Sequence, residues 1–336
     1  MNNYTISEFL TQNDWADAQQ HPLPQDCSTR RYVRLVAGNQ TCLLMVDPAP
    51  HHSLPAFLHV AGLLRDRGFR APQVYGTDGT HLALIEDFGD LTYTRQLAQG
   101  VKIKDLYETA VDLLIALRNR FSPETLPNLP AFMQESYLKE LDIFSQWYYP
   151  YVMGHPLPEK ALLDLKALVA DTWDDLSVPQ GIFLKDMHID NLITLKGTGP
   201  IETCGLLDFQ DARIGPAIYD LASLLQDSRS PIDNQLMSQM KVRYFAALPH
   251  LDTIGEEEAY HVTGAQRNIK NLGIFVRMFQ RNNQPRYLQF IPRTLENLQS
   301  NLSHPTLYHL KAWWDQWIPH NNFPHDFLTG GRCNDY

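Results

Sequence analysis

The stretch from Gly181 to Asp227, GIFLKDMHIDNLITLKGTGPIETCGLLDFQDARIGPAIYDLASLLQD, constrains this chain more than any other. Asp186 is followed five residues later by Asn191, and Asp208 sits after a second apolar run ending Gly205-Leu206-Leu207. Phosphoryl transfer needs one carboxylate to accept or orient a hydroxyl proton. It also needs an amide oxygen and a second carboxylate to hold a divalent cation against nucleotide phosphates. Magnesium prefers hard oxygen donors, which Asn and Asp supply. A single Asp before an apolar residue usually marks a turn or a cap. The order and spacing of the three, followed by the helix-opening segment GPAIYDLA from Gly215, give them meaning as a set.

The rest of the composition narrows the partner. With 336 residues, 44% hydrophobic and 20% charged, the chain can bury one large core or two modest ones. A formal net charge of −10 argues against nucleic acid and against an anionic membrane surface, both held by clustered Lys and Arg, and leaves a small molecule as the expected partner. Cys27, Cys42, Cys204 and Cys333 are scattered with no zinc-type spacing and read as reduced thiols. The segment MNNYTISEFLTQNDW has neither a basic nor an apolar leader region, and no later run is long and apolar enough to span a bilayer, so a cytoplasmic location is expected.

In chain order, a short helix is expected over Ser7 to Ala18 and a proline-bounded loop over His21 to Gln25. Arg31 to Val36 and Thr41 to Val46 read as a β-hairpin joined through Gly38-Asn39, preceded by the polar stretch Asp26 to Arg30. Ser53-Leu54-Pro55 opens a helix whose apolar face is Phe57, Val60, Ala61 and Leu64, and Gly68 stops it. Strands around Gln73 to Gly76 and His81 to Glu86 flank the Asp78-Gly79 turn. Beyond Asp90 the strong patterns are helical: Asp105 to Arg118, Met133 to Tyr149, Pro158 to Trp173, Ala259 to Arg281 and Tyr287 to Leu302. The expected architecture is α+β: a small β-rich lobe, residues 1–88, a hinge near Glu86 to Asp90, and a larger helical lobe, residues 89–336, with the catalytic loop and substrate pocket.

These residues resemble the aminoglycoside phosphotransferase and choline kinase family, which has a protein-kinase-like fold. The segments DMHIDN from Asp186, LDFQD from Leu207, GPAIYDLASLL from Gly215 and QRNIKNLGIF from Gln266 are most similar to its bacterial branch of cell-wall amino-sugar kinases, which phosphorylate N-acetylmuramate and N-acetylglucosamine at the anomeric hydroxyl. Further likeness lies in Asp26 to Arg34, Leu84 to Asp90 and Glu140 to Tyr148, so it covers nearly the whole chain. It implies ATP and Mg²⁺ as cofactors and an amino sugar as acceptor. Asp186 becomes the catalytic aspartate, and Asn191 and Asp208 the magnesium ligands. Asp220 would support the catalytic loop through backbone amides, and His188 would be structural. Ser28, Thr29, Arg30, Arg31, Glu86, Asp87 and Lys185 are expected on the nucleotide. Glu140, Trp147, Asp211 and Arg277 are expected near the substrate.

Several of these keep a second reading. Asp211 either faces the substrate hydroxyl or caps the next turn. Trp147 and Tyr148 are a sugar platform or core residues. Arg277 and Arg281 meet a lactyl carboxylate or surface acids. The sequence also departs from the wider pattern: Leu184 stands where the family often has His, and Met45 where kinases carry a phosphate-binding lysine. Arg30, Arg31, Arg34 and Lys185 are the available replacement cations, with Arg31 foremost, unless the arginines form only a solvated strand edge. The rival functions are a kinase for another alcohol, such as an aminoglycoside, a choline-like amine or a homoserine-like metabolite, and a nucleotide-binding pseudokinase with a regulatory role.

Overall fold

The computed structural model describes residues 5–24, 30–48 and 53–318. The chain divides into two compact units, one of residues 1–116 and 190–212 and the other of residues 117–189 and 213–336.

The first unit is built on a five-stranded antiparallel sheet. Its strands are β1 (Gln19–Pro22), β2 (Arg31–Ala37), β3 (Gln40–Val46), β4 (Val74–Thr77) and β5 (Leu82–Ile85), in the order β1-β2-β3-β5-β4. The expected hairpin is present, in register from Arg31 opposite Val46 to Ala37 opposite Gln40, with Gly38 at φ +59° where an L-residue would be strained. Leu35, Cys42, Leu44, Leu82 and Leu84 form a core with Phe9 and Leu10 of the first helix. That helix is shorter than expected, Ile6–Gln12, capped by the reciprocal Thr5 and Glu8 bonds. Where the sequence suggested only a loop at His21 to Gln25, β1 pairs with β2 as far as Pro22. All four β1 residues are exposed, so no alternation marks it. Proline is tolerated at such an edge because no ladder donor is lost there.

Leu54, Phe57, Val60, Ala61 and Leu64 bury one face of the Leu54–Asp66 helix. Its cap differs from the sequence reading. The Ser53 side chain makes no cap bond; the buried Asp47 carboxylate accepts the Ser53 and Leu54 N–H groups at 2.6 and 2.7 Å. A small hairpin, β7 (Leu192–Thr194) with β8 (Cys204–Leu206), belongs to this unit. Its edges are tied by the bonds from Thr194 N–H to Leu91 O and from Leu206 N–H to Arg70 O. A Cβ on Gly205 would stand 2.9 Å from Phe88 and Leu195, so only glycine lets the hairpin lie this close. This is why compactness groups residues 190–212 and 89–116 with the sheet, a different cut from the expected lobes 1–88 and 89–336.

The second unit is mainly helical, around the Thr253–Asn282 helix. Its apolar core gathers Phe144, Tyr148, Leu165, Phe183, Ile269, Leu272, Val276, Leu298 and Trp314. A two-stranded ladder, β6 (Gln180–Phe183) with β9 (Arg213–Pro216), precedes the fully buried Ile218–Leu225 helix. The helix expected over Met133 to Tyr149 is broken. It runs as Gln134–Lys139, Leu141–Ile143, a π-turn Phe144–Tyr148, and Tyr149–Met153. Pro150, which lacks an N–H, sits just past the π-turn. Among the described residues no helix is long and apolar enough to cross a membrane.

Candidate active site

In the first unit a cavity of about 350 Å³ is lined by Tyr32, Phe57, Glu86, Asp90, Asn191 and Asp208, among others. Two of the three expected phosphoryl-transfer residues therefore share one pocket. They do so because Leu192 pairs with Leu206 and Leu207 N–H bonds Asn191 O at 2.9 Å, so both side chains leave the same end of the β7–β8 hairpin. Asp208 has φ +55°, a conformation that Asp tolerates better than most residues and that recurs at functional turns.

Asp208 Oδ1 accepts the Arg30 Nη2 donor at 2.8 Å and the Gln210 Nε2 donor at 3.0 Å. Arg30 Nη1 also donates to Gln210 Oε1 at 3.0 Å and the Tyr32 hydroxyl at 3.3 Å. Burial works against the Arg30 charge, but Tyr32, Asp208 and Asp47 around it hold its pKa above the ordinary value. Arg31 is exposed: successive strand side chains alternate faces, and it lies opposite Arg30 and Tyr32. Met45 is fully buried in the sheet.

Arg34 forks onto Asp87 at 2.6 and 3.0 Å and onto both Asp90 oxygens at 3.1 Å. These bonds raise the Arg34 pKa and lower that of Asp90. Glu86 accepts from Arg70 at 2.9 Å and from Gln73 N–H at 3.2 Å. The hinge carboxylates are thus fixed by arginines, a pairing the sequence reading did not find. Asp211 is half-buried in this unit. Ser28 and Thr29 lie outside the described residues.

Asp186 belongs to the second unit, half-buried just after β6. Its flanks are pinned. Asp220, 1% exposed, accepts Leu184 N–H at 2.6 Å and Lys185 N–H at 3.0 Å, the supporting place expected of it. Burial pushes the Asp220 pKa up to about 7, the neighbouring Asp186 charge adds to the rise, and the two N–H bonds oppose it. On the other side, Asp227 accepts Ile189 N–H at 3.3 Å. Lys185 itself stands at φ +78°.

Glu140 is the hub of a charged cluster. Its carboxylate meets Lys185 Nζ at 3.0 Å, Lys270 Nζ at 3.2 Å and the Gln266 amide at 3.1 Å. Burial would raise the Glu140 pKa, yet Lys270, Lys185 and Gln266 hold it at about 2. Burial likewise disfavours the Lys270 charge, but Tyr219, Glu140 and Asp186 keep its pKa above the lysine range. Lys185, expected on the nucleotide, is therefore paired with Glu140, and its Nζ lies 5.6 Å from the Phe132 ring centroid. Lys270 was not singled out from sequence. The polar run Gln266, Arg267, Asn268, Lys270 and Asn271 was visible in the sequence, but its burial, which is what marks it, is seen only in the structure. Trp147 packs half-buried against the core within the π-turn, and Arg277 is half-buried on the Thr253–Asn282 helix.

The model of the phosphotransferase enzyme family matches residues 19–255, spanning both the sheet and the segments bearing Asp186, Asn191 and Asp208. The chain belongs to this family. The phosphotransferase is 31% identical to an N-acetylmuramate/N-acetylglucosamine kinase of Caulobacter vibrioides, over 93% of this chain and 95% of that one. It is 28% identical to a kinase of the same name from Pseudomonas aeruginosa, over 88% of each. Among solved structures it is similar to choline kinase LicA from Streptococcus pneumoniae, with a TM-score of 0.61 at 15% identity, covering 88% of this chain and 98% of that one. It is also similar to an aminoglycoside phosphotransferase, TM-score 0.58 at 12% identity, covering 89% and 100%. The phosphotransferase thus has the protein-kinase-like α+β fold, and membership of the family implies use of ATP.

Proposed function

We propose that this phosphotransferase moves the γ-phosphoryl group of ATP onto the anomeric hydroxyl of a cell-wall amino sugar, N-acetylmuramate or N-acetylglucosamine, in the cytoplasm. The observation that carries this reading is the end-to-end likeness to kinases of that name, together with an Asn191–Asp208 pair converging on one cavity.

Asp186 takes the acceptor hydroxyl's proton as the oxygen attacks phosphorus. Such transfer relies on positioning and charge stabilisation rather than covalent catalysis. Asp220 and Asp227 keep the loop around Asp186 in place by holding its backbone donors. Arg30, buried beside Asp208, takes the part of the missing strand lysine.

Asn191 and Asp208 are the residues that would hold Mg²⁺. The donor set fits: both offer hard oxygens, and Asp208 Oδ2 has no hydrogen-bond partner among the described residues while Oδ1 is taken by Arg30 and Gln210. Among the described residues no group of three or more His, Cys, Asp or Glu side chains forms a metal site. Bound there, the ion would neutralise charge on the phosphates.

The Glu140–Lys185–Lys270 cluster bears on the acceptor. A choline-like or aminoglycoside substrate requires an uncompensated carboxylate, whereas Glu140 is already neutralised by two ammonium groups. That favours a neutral or anionic sugar.

The test is ATP turnover against N-acetylmuramate, N-acetylglucosamine, kanamycin and choline, with Asp186→Asn as control. Turnover is expected with the amino sugars and is expected to fall by several orders of magnitude in the variant, with ATP affinity kept, since little charge is lost from the nucleotide side. Turnover of choline or kanamycin alone would overturn the reading. ATP binding with no acceptor turned over would support a pseudokinase instead.

A further inference from the structure

A second cavity, of about 400 Å³, lies wholly within the second unit and shares no residue with the first. It is walled by the Asn234–Ala247, Thr253–Asn282 and Ile291–Leu302 helices. Its volume falls in the range of small-molecule sites, about 300 to 1,000 Å³.

The inner wall is a fixed polar frame. Gln226 Oε1 accepts from Asn268 at 2.7 Å and from Asn301 at 2.8 Å, its amide nitrogen donates to Asn301 Oδ1 at 2.9 Å, and its backbone carbonyl accepts from Asn297 at 2.9 Å. Such a frame holds its geometry without a ligand. One buried hydroxyl lies beside this frame. Tyr260 is 2% exposed, yet its hydroxyl, on the Gln226 side, makes no hydrogen bond of normal geometry among the described residues. A buried hydroxyl without a well-aligned partner costs free energy.

The charges on the wall are already balanced. Lys241 pairs with Glu257 at 2.5 Å and its Nζ sits 4.4 Å from the Tyr260 ring centroid. Arg293 pairs with Glu296 at 3.1 Å and donates to Ile232 O at 2.6 Å. His261 is stacked on His304 and hydrogen-bonded to Asn301. Burial and the neighbouring Lys241 and His304 push its pKa down to about 4, so it is neutral at physiological pH. An anion would have to break one of these pairs, whereas hydroxyl and amide groups find partners without doing so.

We propose that this cavity is a second binding site, for a small neutral ligand rich in hydroxyl or amide groups. The site does not depend on the assignment of the kinase reaction.

Met237 on the cavity wall is the reporter. The full chain, labelled with ¹³C at the methionine methyls and with Met237 assigned through Met237→Leu, is titrated with glucitol, glucose and N-methylacetamide, and with inorganic phosphate as the anionic probe. The Met237 methyl signal should move saturably with at least one neutral probe and stay still with phosphate. Ser238→Trp, at an exposed position on the rim, should abolish the movement while leaving the other methionine signals and the kinase activity unchanged. A response to phosphate alone, no response to any neutral probe, or a response that survives Ser238→Trp would overturn the proposal.

Discussion

Arg30 and Arg31 are adjacent in the chain and differ in everything that matters to a phosphate. Arg30 is buried against Asp208, Gln210 and Tyr32, while Arg31 faces solvent. The sequence favoured Arg31 because it borders the polar stretch Asp26 to Arg30 at the start of the first hairpin strand, and nothing marks the inward face. The face is settled by pairing with β3, which puts even-numbered residues of this segment on the site side. Arg30→Met should therefore raise the KM for ATP and lower kcat/KM about 10- to 100-fold, equivalent to about 1.4 to 2.7 kcal/mol. Arg31→Met should leave both unchanged. Steady-state kinetics at varied ATP decides, and equal effects of the two substitutions would remove Arg30 from the nucleotide site. Glu140 yields a pH prediction. Its carboxyl titrates lower in the fold, at about 2, than the ordinary 4.5, so its stabilisation is complete above about pH 4.5 and is lost as pH falls towards 2. Glu140→Gln should lower Tm at pH 7, because Lys185 and Lys270 lose their shared partner. The gap between variant and wild type should close on acidification, a trend that thermal melts across that pH range would reveal.

At the scale of elements, periodicity identified what buries an apolar face and missed what does not. The β2–β3 hairpin and the Leu54–Asp66 helix were legible from alternation and from a helical stripe. β1, wholly exposed, carries no such signal. The break in the helix after Met133 was hidden by a continuous helical period, and the broken segment packs against a residue far off in the chain. A Cβ on Gly273 would stand 2.5 Å from the carbonyl carbon and oxygen of Ile143, so the long helix can lie against the π-turn only because residue 273 is glycine. The contact also fixes the segment that carries Glu140 and Trp147. Gly273→Ala should destabilise the protein by about 1 to 3 kcal/mol, the range for overpacking a close contact. Urea unfolding would show it as a lower midpoint at unchanged slope, and a midpoint equal to wild type would mean the packing yields easily.

On the scale of the whole molecule, Asp186, Asn191 and Asp208 stood out in the sequence as a set because phosphoryl transfer restricts which side-chain types can serve, and their roles are the ones proposed above. What the sequence did not disclose is that compactness divides the chain inside this motif, with residues up to 189 in one unit and Asn191 and Asp208 in the other. The reason is the β7–β8 hairpin, whose two bonds to Leu91 and Arg70 are too few and too distant in the chain to be read from composition. The net charge of −10 favoured a small-molecule partner, and the amino sugar proposed above rests on likeness to proteins named N-acetylmuramate/N-acetylglucosamine kinase. The most direct test is ³¹P–¹H correlation NMR of the product formed from ATP and N-acetylmuramate. Phosphorus coupled to the anomeric proton is the predicted result. Coupling to any other sugar proton, or no sugar phosphate at all, would contradict it.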